Sequence, residues 1–243
     1  MHKFKAFLKS FTTYQKWYLI TVFTLTLAFV IFFPEMMLDD TSSILVVICS
    51  VIATLANPLC EMMITKQSIY NFWVDFLLIE VPSLIVYISL GWYTLCFVTM
   101  LFWVPIDFIS IWNWRKHPDR QKEELTVVKT LTPKQDVLII LGIAAFTLIV
   151  GNLIQLLPGA SDSYLDALAA ACGMSNGILL AMRYKEQWFA WLVTLIFYII
   201  LDIRGGAYIM LIKEFAMLVN TCYGFWKWKT YINTHREQIA EEG

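Results

Sequence analysis

Residues 187–228 read QWFAWLVTLIFYIILDIRGGAYIMLIKEFAMLVNTCYGFWKW. Two apolar runs are broken at Arg204-Gly205-Gly206. A helix needs about 20 apolar residues to cross the hydrocarbon core, so this stretch predicts two membrane spans joined by a tight turn. The same pattern extends outward in both directions. Spans are predicted near 17–34, 43–64, 69–90, 92–113, 136–157, 163–182, 187–204 and 206–227, with Gly91 breaking the third from the fourth. The fold class expected is an all-α polytopic membrane protein with about eight transmembrane helices.

Composition excludes a soluble domain. Of 243 residues, 59% are apolar and only 15% are charged, against about 25% charged in ordinary globular domains. The net charge of −1 gives no reason to expect a nucleic-acid partner. The run at 17–33 follows Lys3, Lys5 and Lys9 but is long, and no small-residue cleavage site follows it. It reads as a first span that stays. The cysteines Cys49, Cys60, Cys96, Cys172 and Cys222 lie in apolar stretches without CxxC or CxxH spacing, so they read as buried thiols and predict neither a disulfide framework nor a zinc site. No cofactor is implied.

Basic residues orient the scheme. With both termini in the cytoplasm, 16 of the 18 lysines and arginines fall in inside segments. Arg204 is outside and Lys213 lies within a span. The outside turn after Pro34 carries Glu35, Asp39 and Asp40. This is the asymmetry of the positive-inside rule.

The chain also matches itself. At an offset of 114, Gly91 aligns with Gly205, Trp112 with Trp226 and Trp114 with Trp228. At an offset of 118, Trp73 aligns with Trp191 and Ala53 with Ala171. Spans 2–4 therefore read as a copy of spans 6–8. Because span 5 joins two three-span units, the copies share one orientation, a known transporter plan. Trp-x-Trp followed by a basic residue also suits simple interfacial anchoring. The domains predicted are 1–42 (cytoplasmic segment and extra helix), 43–116 (first repeat), 117–162 (cytoplasmic loop and linker helix), 163–229 (second repeat) and 230–243 (cytoplasmic tail).

Polar side chains at membrane depth are expensive, roughly 2.5–3.5 kcal/mol for a central Asp, Lys or Arg, and are kept where they face a cavity or a partner. The candidates are Asn57, Asp75, Glu80, Asp107, Asn152, Gln155, Asn176, Asp202, Lys213, Glu214 and Asn220, with Gln155 and Asp202 near span ends. Lys213, Asn220 and Tyr223 share a face of the eighth span. Asn220 and Tyr223 suit either a ligand or hydrogen bonding between helices. Lys213 and Glu214 are adjacent and point to different faces. Trp188 and Trp191 share a face near the inner end of the seventh span, where two indoles either sandwich a flat ring or sit in the interfacial belt.

Glu186, Trp188 and Trp191 form Glu-x-Trp-x-x-Trp, and Asn220, Tyr223 and Trp228 form Asn-x-x-Tyr-x-x-x-x-Trp. Together they resemble the PnuC family of vitamin-precursor transporters. The likeness covers most of the chain in span order, repeat and loop lengths, with its sharp motifs in the second repeat. It implies two three-helix bundles joined by a linking helix, a SWEET-like architecture inverted in the membrane, and a homotrimer in the cell membrane. It implies a facilitator for nicotinamide riboside, feeding NAD synthesis, or for thiamine, riboflavin or a deoxynucleoside. It assigns substrate contact to Trp188, Trp191, Asn220 and Tyr223. Asn57 and Asp107 complete the candidate site. Nicotinamide riboside members usually carry Asn where this chain has Leu195 and Asp107, and Gln where it has Met100. A carboxylate at Asp107 suits a cationic ring.

An intramembrane enzyme is not expected. His2, His117 and His235 lie outside the spans, and no HExxH, GxSxG or GxxxxGK[ST] motif occurs. A membrane sensor that binds without transporting is the remaining alternative.

Overall fold

The structure, a computed structural model, describes residues 11–33, 44–89, 98–118, 126–156, 163–205 and 208–235. Among these the chain is helical with no strand, and two isolated bridges, Pro118 to Thr126 and Lys129 to Tyr184, are its β pairing. The segments are α1 (Thr13–Phe32), α2 (Ile44–Thr65), α3 (Tyr70–Val74, π-wound Asp75–Glu80, Val81–Ser89), α4 (π-wound Thr99–Trp103, then Val104–Arg115), α5 (Pro133–Ile154), α6 (Ser163–Ala181), α7 (Gln187–Gly205) and α8 (Tyr208–Thr234). By length and composition, α1, α2, α5 and α6 are able to cross a membrane. The breaks expected at Gly91 and Gly206 lie outside the described residues, as does Cys96.

Helix ends depart from the hydropathy reading by a few residues, and three of the departures have a clear local reason. α1 and α5 begin earlier because each opens on a capping box. Thr12 accepts from the Gln15 N–H while Gln15 Oε1 accepts from the Thr12 N–H, and Thr132 and Gln135 repeat the exchange with Pro133 in the first turn. α8 continues to Thr234 because Trp228 and Tyr231 remain buried in the core beyond its apolar run.

α8 packs on α2, α7 and α1, while α6 packs on α5, α7 and α4. The α5–α6 contact is close at Gly151, where a Cβ would lie 2.5 Å from the Tyr164 ring. Asn152 accepts from the Tyr164 hydroxyl at 3.0 Å beside it.

The ends of α2 and α6 are built alike. Gln67 (φ 56°) and Arg183 (φ 67°) both take the left-handed conformation that commonly closes a helix. The Gln67 N–H donates to the Ile64 carbonyl at 2.8 Å, and the Arg183 N–H donates to the Leu180 carbonyl at 3.0 Å. Each carbonyl also accepts an indole from the far end of another helix: Trp228 Nε1 to Ile64 at 3.2 Å, and Trp114 Nε1 to Leu180 at 2.9 Å. Phe72 meets Trp114 edge-on at 4.9 Å, and Trp188 meets Trp228 edge-on at 5.7 Å. Trp114 and Trp228 are 6.1 Å apart. In each Trp-x-Trp pair the second ring is buried, whereas Trp112 and Trp226 are exposed with Lys116 and Lys227 over their faces.

Residues 126–131 strap across this aromatic core. Val127 and Val128 are buried. The Lys129 N–H donates to the Arg183 carbonyl and the Lys185 N–H to the Lys129 carbonyl, both at 2.9 Å. Arg183 Nη1 donates to the Val127 carbonyl at 2.9 Å, and Glu186 accepts from the Leu131 N–H at 3.1 Å.

Candidate functional site

Glu61, one turn beyond Asn57-Pro58 in α2, is the hub of a buried polar network. Its carboxylate is held by α7 and α8: Trp191 Nε1 and the Thr221 hydroxyl donate to Oε1, and Asn220 Nδ2 donates to Oε2 at 3.1 Å. Asn220 Nδ2 also donates to Thr65 Oγ1 at 3.3 Å. Glu61 is only 5% exposed and Asn220 is 0% exposed. Three donors onto one carboxylate offset part of the desolvation such a group suffers at membrane depth. Asn220 Oδ1 accepts from no donor among the described residues. A buried acceptor left unmatched costs about 1–3 kcal/mol.

α1 closes this region from another side. Tyr14 and Tyr18 lie within electrostatic reach of Glu61, and their buried hydroxyls have no partner among the described residues. Tyr14 lies 4.4 Å from the Tyr223 ring. The arrangement offers one carboxylate, one amide carbonyl, an indole face and two phenols to a ligand. No His/Cys/Asp/Glu group able to hold a metal occurs among the described residues.

Trp191 and Asn220 thus meet through Glu61. Of the other predicted residues, Tyr223 borders this region through Tyr14, while Trp188, Asn57 and Asp107 make other contacts. Trp188 shares a helix with Trp191 but is buried on Trp228 and against Gly224, where a Cβ would lie 2.5 Å from its ring. Tyr223 packs on Tyr14 and has Lys227 5.5 Å above its ring. Asn57 donates to the Ala53 carbonyl of its own helix at 2.9 Å. Asp107 lies with Asp75 and Glu80 in a second acidic group, where Thr99 hydrogen-bonds Glu80 and Asp107 Oδ2 has no partner among the described residues.

Several other polar candidates serve packing. Asn176 donates to Gln187, at 2.9 Å to its carbonyl and 2.8 Å to Oε1. Lys213 and Glu214 pair with each other at 3.1 Å, Glu214 buried and Lys213 partly exposed. Cys222 is exposed, unlike buried Cys49, Cys60 and Cys172, because it lies on the outer side of α8. Glu61, Thr65, Thr221, Tyr14 and Tyr18 were not singled out by the sequence pattern. The one available signal was a lone carboxylate in an apolar run, four residues before Thr65.

A family profile described as nicotinamide mononucleotide transporter matches residues 47–230. The chain belongs to this family. It is therefore a membrane transporter of the PnuC type and a multi-pass membrane protein, not an enzyme. The matched span contains Glu61, Trp191 and Asn220. The chain is similar to the nicotinamide riboside transporter PnuC of Neisseria mucosa, 28% identical over 77% of this chain and 74% of that protein. It is likewise similar to the nicotinamide riboside transporter PnuC of Haemophilus influenzae, 25% identical over 74% of this chain and 78% of that protein. A crystal structure of the vitamin B3 transporter PnuC shares the fold, with a TM-score of 0.74 over 93% of this chain and 94% of that one at 22% identity.

Proposed function

We propose that the chain is a facilitator that carries nicotinamide riboside across the cell membrane to supply NAD synthesis, through a site built on Glu61, Trp191 and Asn220. The observation that carries this reading is that network, which joins α2 to α7 and α8 over chain separations of 130 and 159 residues. Nicotinamide riboside pairs a flat cationic ring with a carboxamide and ribose hydroxyls. An indole stacks on such a ring, a carboxylate attracts its charge, and an amide matches a polar substituent. Two relatives are named for this substrate.

Eight spans, with 43–116 and 163–229 as parallel repeats joined by 117–162, complete the proposal. Segment 1–42 precedes them and tail 230–243 follows. The reciprocal Trp114–Leu180 and Trp228–Ile64 bonds support the duplication, as do the like-built turns at Gln67 and Arg183. These turns pair at an offset of 116, so Phe72 rather than Trp73 answers to an indole, Trp188. Both termini are cytoplasmic in this reading, which puts the aromatic core and its strap at the inner end. A homotrimer is part of the same proposal through the family resemblance.

The test is calorimetric titration of the purified full chain with nicotinamide riboside, thiamine, riboflavin and a deoxynucleoside. Nicotinamide riboside is expected to bind tightest, and Trp191→Phe to weaken it several-fold. Tighter binding of thiamine or riboflavin would transfer the same site to another vitamin.

A further inference from the structure

We infer that Glu61 is a positioning residue that fixes the amide of Asn220 so that only its carbonyl faces the ligand, making the site selective for a ligand hydrogen-bond donor. The inference rests on the proposed site, and it adds the polarity with which that site reads its substrate.

An asparagine amide offers two N–H donors at one end and an acceptor at the other, and the two ends are nearly the same size. What decides its orientation is the chemistry of its neighbours. The Glu61 carboxylate receives hydrogen bonds from Trp191, Thr221 and Asn220. Asn220 must therefore turn Nδ2 toward it. The second N–H meets Thr65 Oγ1. That hydroxyl has already committed its proton to the Glu61 main-chain carbonyl at 3.1 Å, so it too presents a lone pair to Asn220. Both donors of the amide are used by α2. Oδ1, on a side chain 0% exposed, accepts from no donor among the described residues. The free end of Asn220 is an acceptor, and its complement is an N–H or O–H. Nicotinamide riboside carries both, in its carboxamide and its ribose.

Glu61→Gln is the discriminating variant because it keeps shape and inverts polarity. Gln retains one oxygen for Trp191 and Thr221, and its amide nitrogen then faces Asn220. Asn220 answers by flipping, which points N–H toward the ligand. Full-length parent and variant protein would be titrated with nicotinamide riboside, with the analogue bearing a carboxylate in place of the carboxamide, and with the 2′- and 3′-deoxyribosides. The parent is expected to lose about tenfold or more on the analogue that lacks the donor read by Asn220. In Glu61→Gln that penalty falls to about twofold or reverses. A parent with no penalty on any analogue, or a variant with the parent's penalty pattern, overturns the inference.

Asn220→Leu separates this from failure of the site itself. If Asn220→Leu binds like the parent, the site reading is wrong. If it binds weakly while Glu61→Gln keeps the parent's pattern, the site stands and the positioning role falls. Should Glu61→Gln not fold, Thr65→Val removes the other acceptor, and a partial loss of the donor preference is then expected. An unchanged preference in that variant overturns the inference equally.

Discussion

Asn220 carries the most specific claim at the residue scale. It is buried, has both donors committed and keeps one acceptor unmatched by protein. Asn220→Leu should weaken binding of nicotinamide riboside by about 1–3 kcal/mol, roughly 5- to 150-fold. Titration of monodisperse protein measures this, and unchanged affinity with a lower folding yield would reassign Asn220 to helix packing. Trp191→Phe keeps a stacking face but removes the Nε1 donor to Glu61, so a several-fold loss is expected, smaller than that of Asn220→Leu. Asn220 and Trp191 were legible in the sequence because a polar or aromatic residue in an apolar run stands out. Glu61 was not. It falls near the predicted end of its span, where a carboxylate usually meets solvent, and only the approach of α7 and α8 makes it a hub. Trp188 shows the reverse limit: spacing places it beside Trp191, but Gly224 admits its ring into the core.

At the scale of elements, the indoles in the C-terminal parts of α4 and α8 pin the ends of α6 and α2. Trp228→Phe and Trp114→Phe should each lower stability on the order of 1 kcal/mol, since each carbonyl keeps its main-chain donor when the indole is lost. Equal effects from the two would fit their reciprocal placement, and thermal unfolding in detergent measures them. Gly224→Ala puts a methyl group against the stiff Trp188 ring at 2.5 Å, so a loss of about 1–3 kcal/mol is expected, partly restored by Trp188→Phe. Hydropathy located these helices because about 20 apolar residues can hardly be anything else. It misplaced the starts of α1 and α5, where Thr12–Gln15 and Thr132–Gln135 set the boundary by polar exchange. The π-wound turns of α3 and α4 had no sequence signal at all, because they depend on how the backbone is satisfied by neighbours.

For the whole molecule, the family sets the activity, and the proposed orientation rests on the charge asymmetry of the sequence. Reporter fusions at Lys16, His117 and Glu242 should report the cytoplasm and one at Asp40 the exterior. An exterior signal at His117 would break the eight-span scheme. The fold class was legible because membrane depth forces the backbone into helices. The substrate was less so, since Leu195 and Asp107 replace amides that nicotinamide riboside members usually carry and the carboxylate at the centre of the network lay unseen. The most direct test is uptake of labelled nicotinamide riboside into proteoliposomes holding only this protein. Parent protein is predicted to equilibrate the label across the membrane without concentrating it, with Asn220→Leu much slower at low substrate. Binding without uptake, equal rates for parent and Asn220→Leu, or accumulation above the outside level under a proton or sodium gradient would contradict the account.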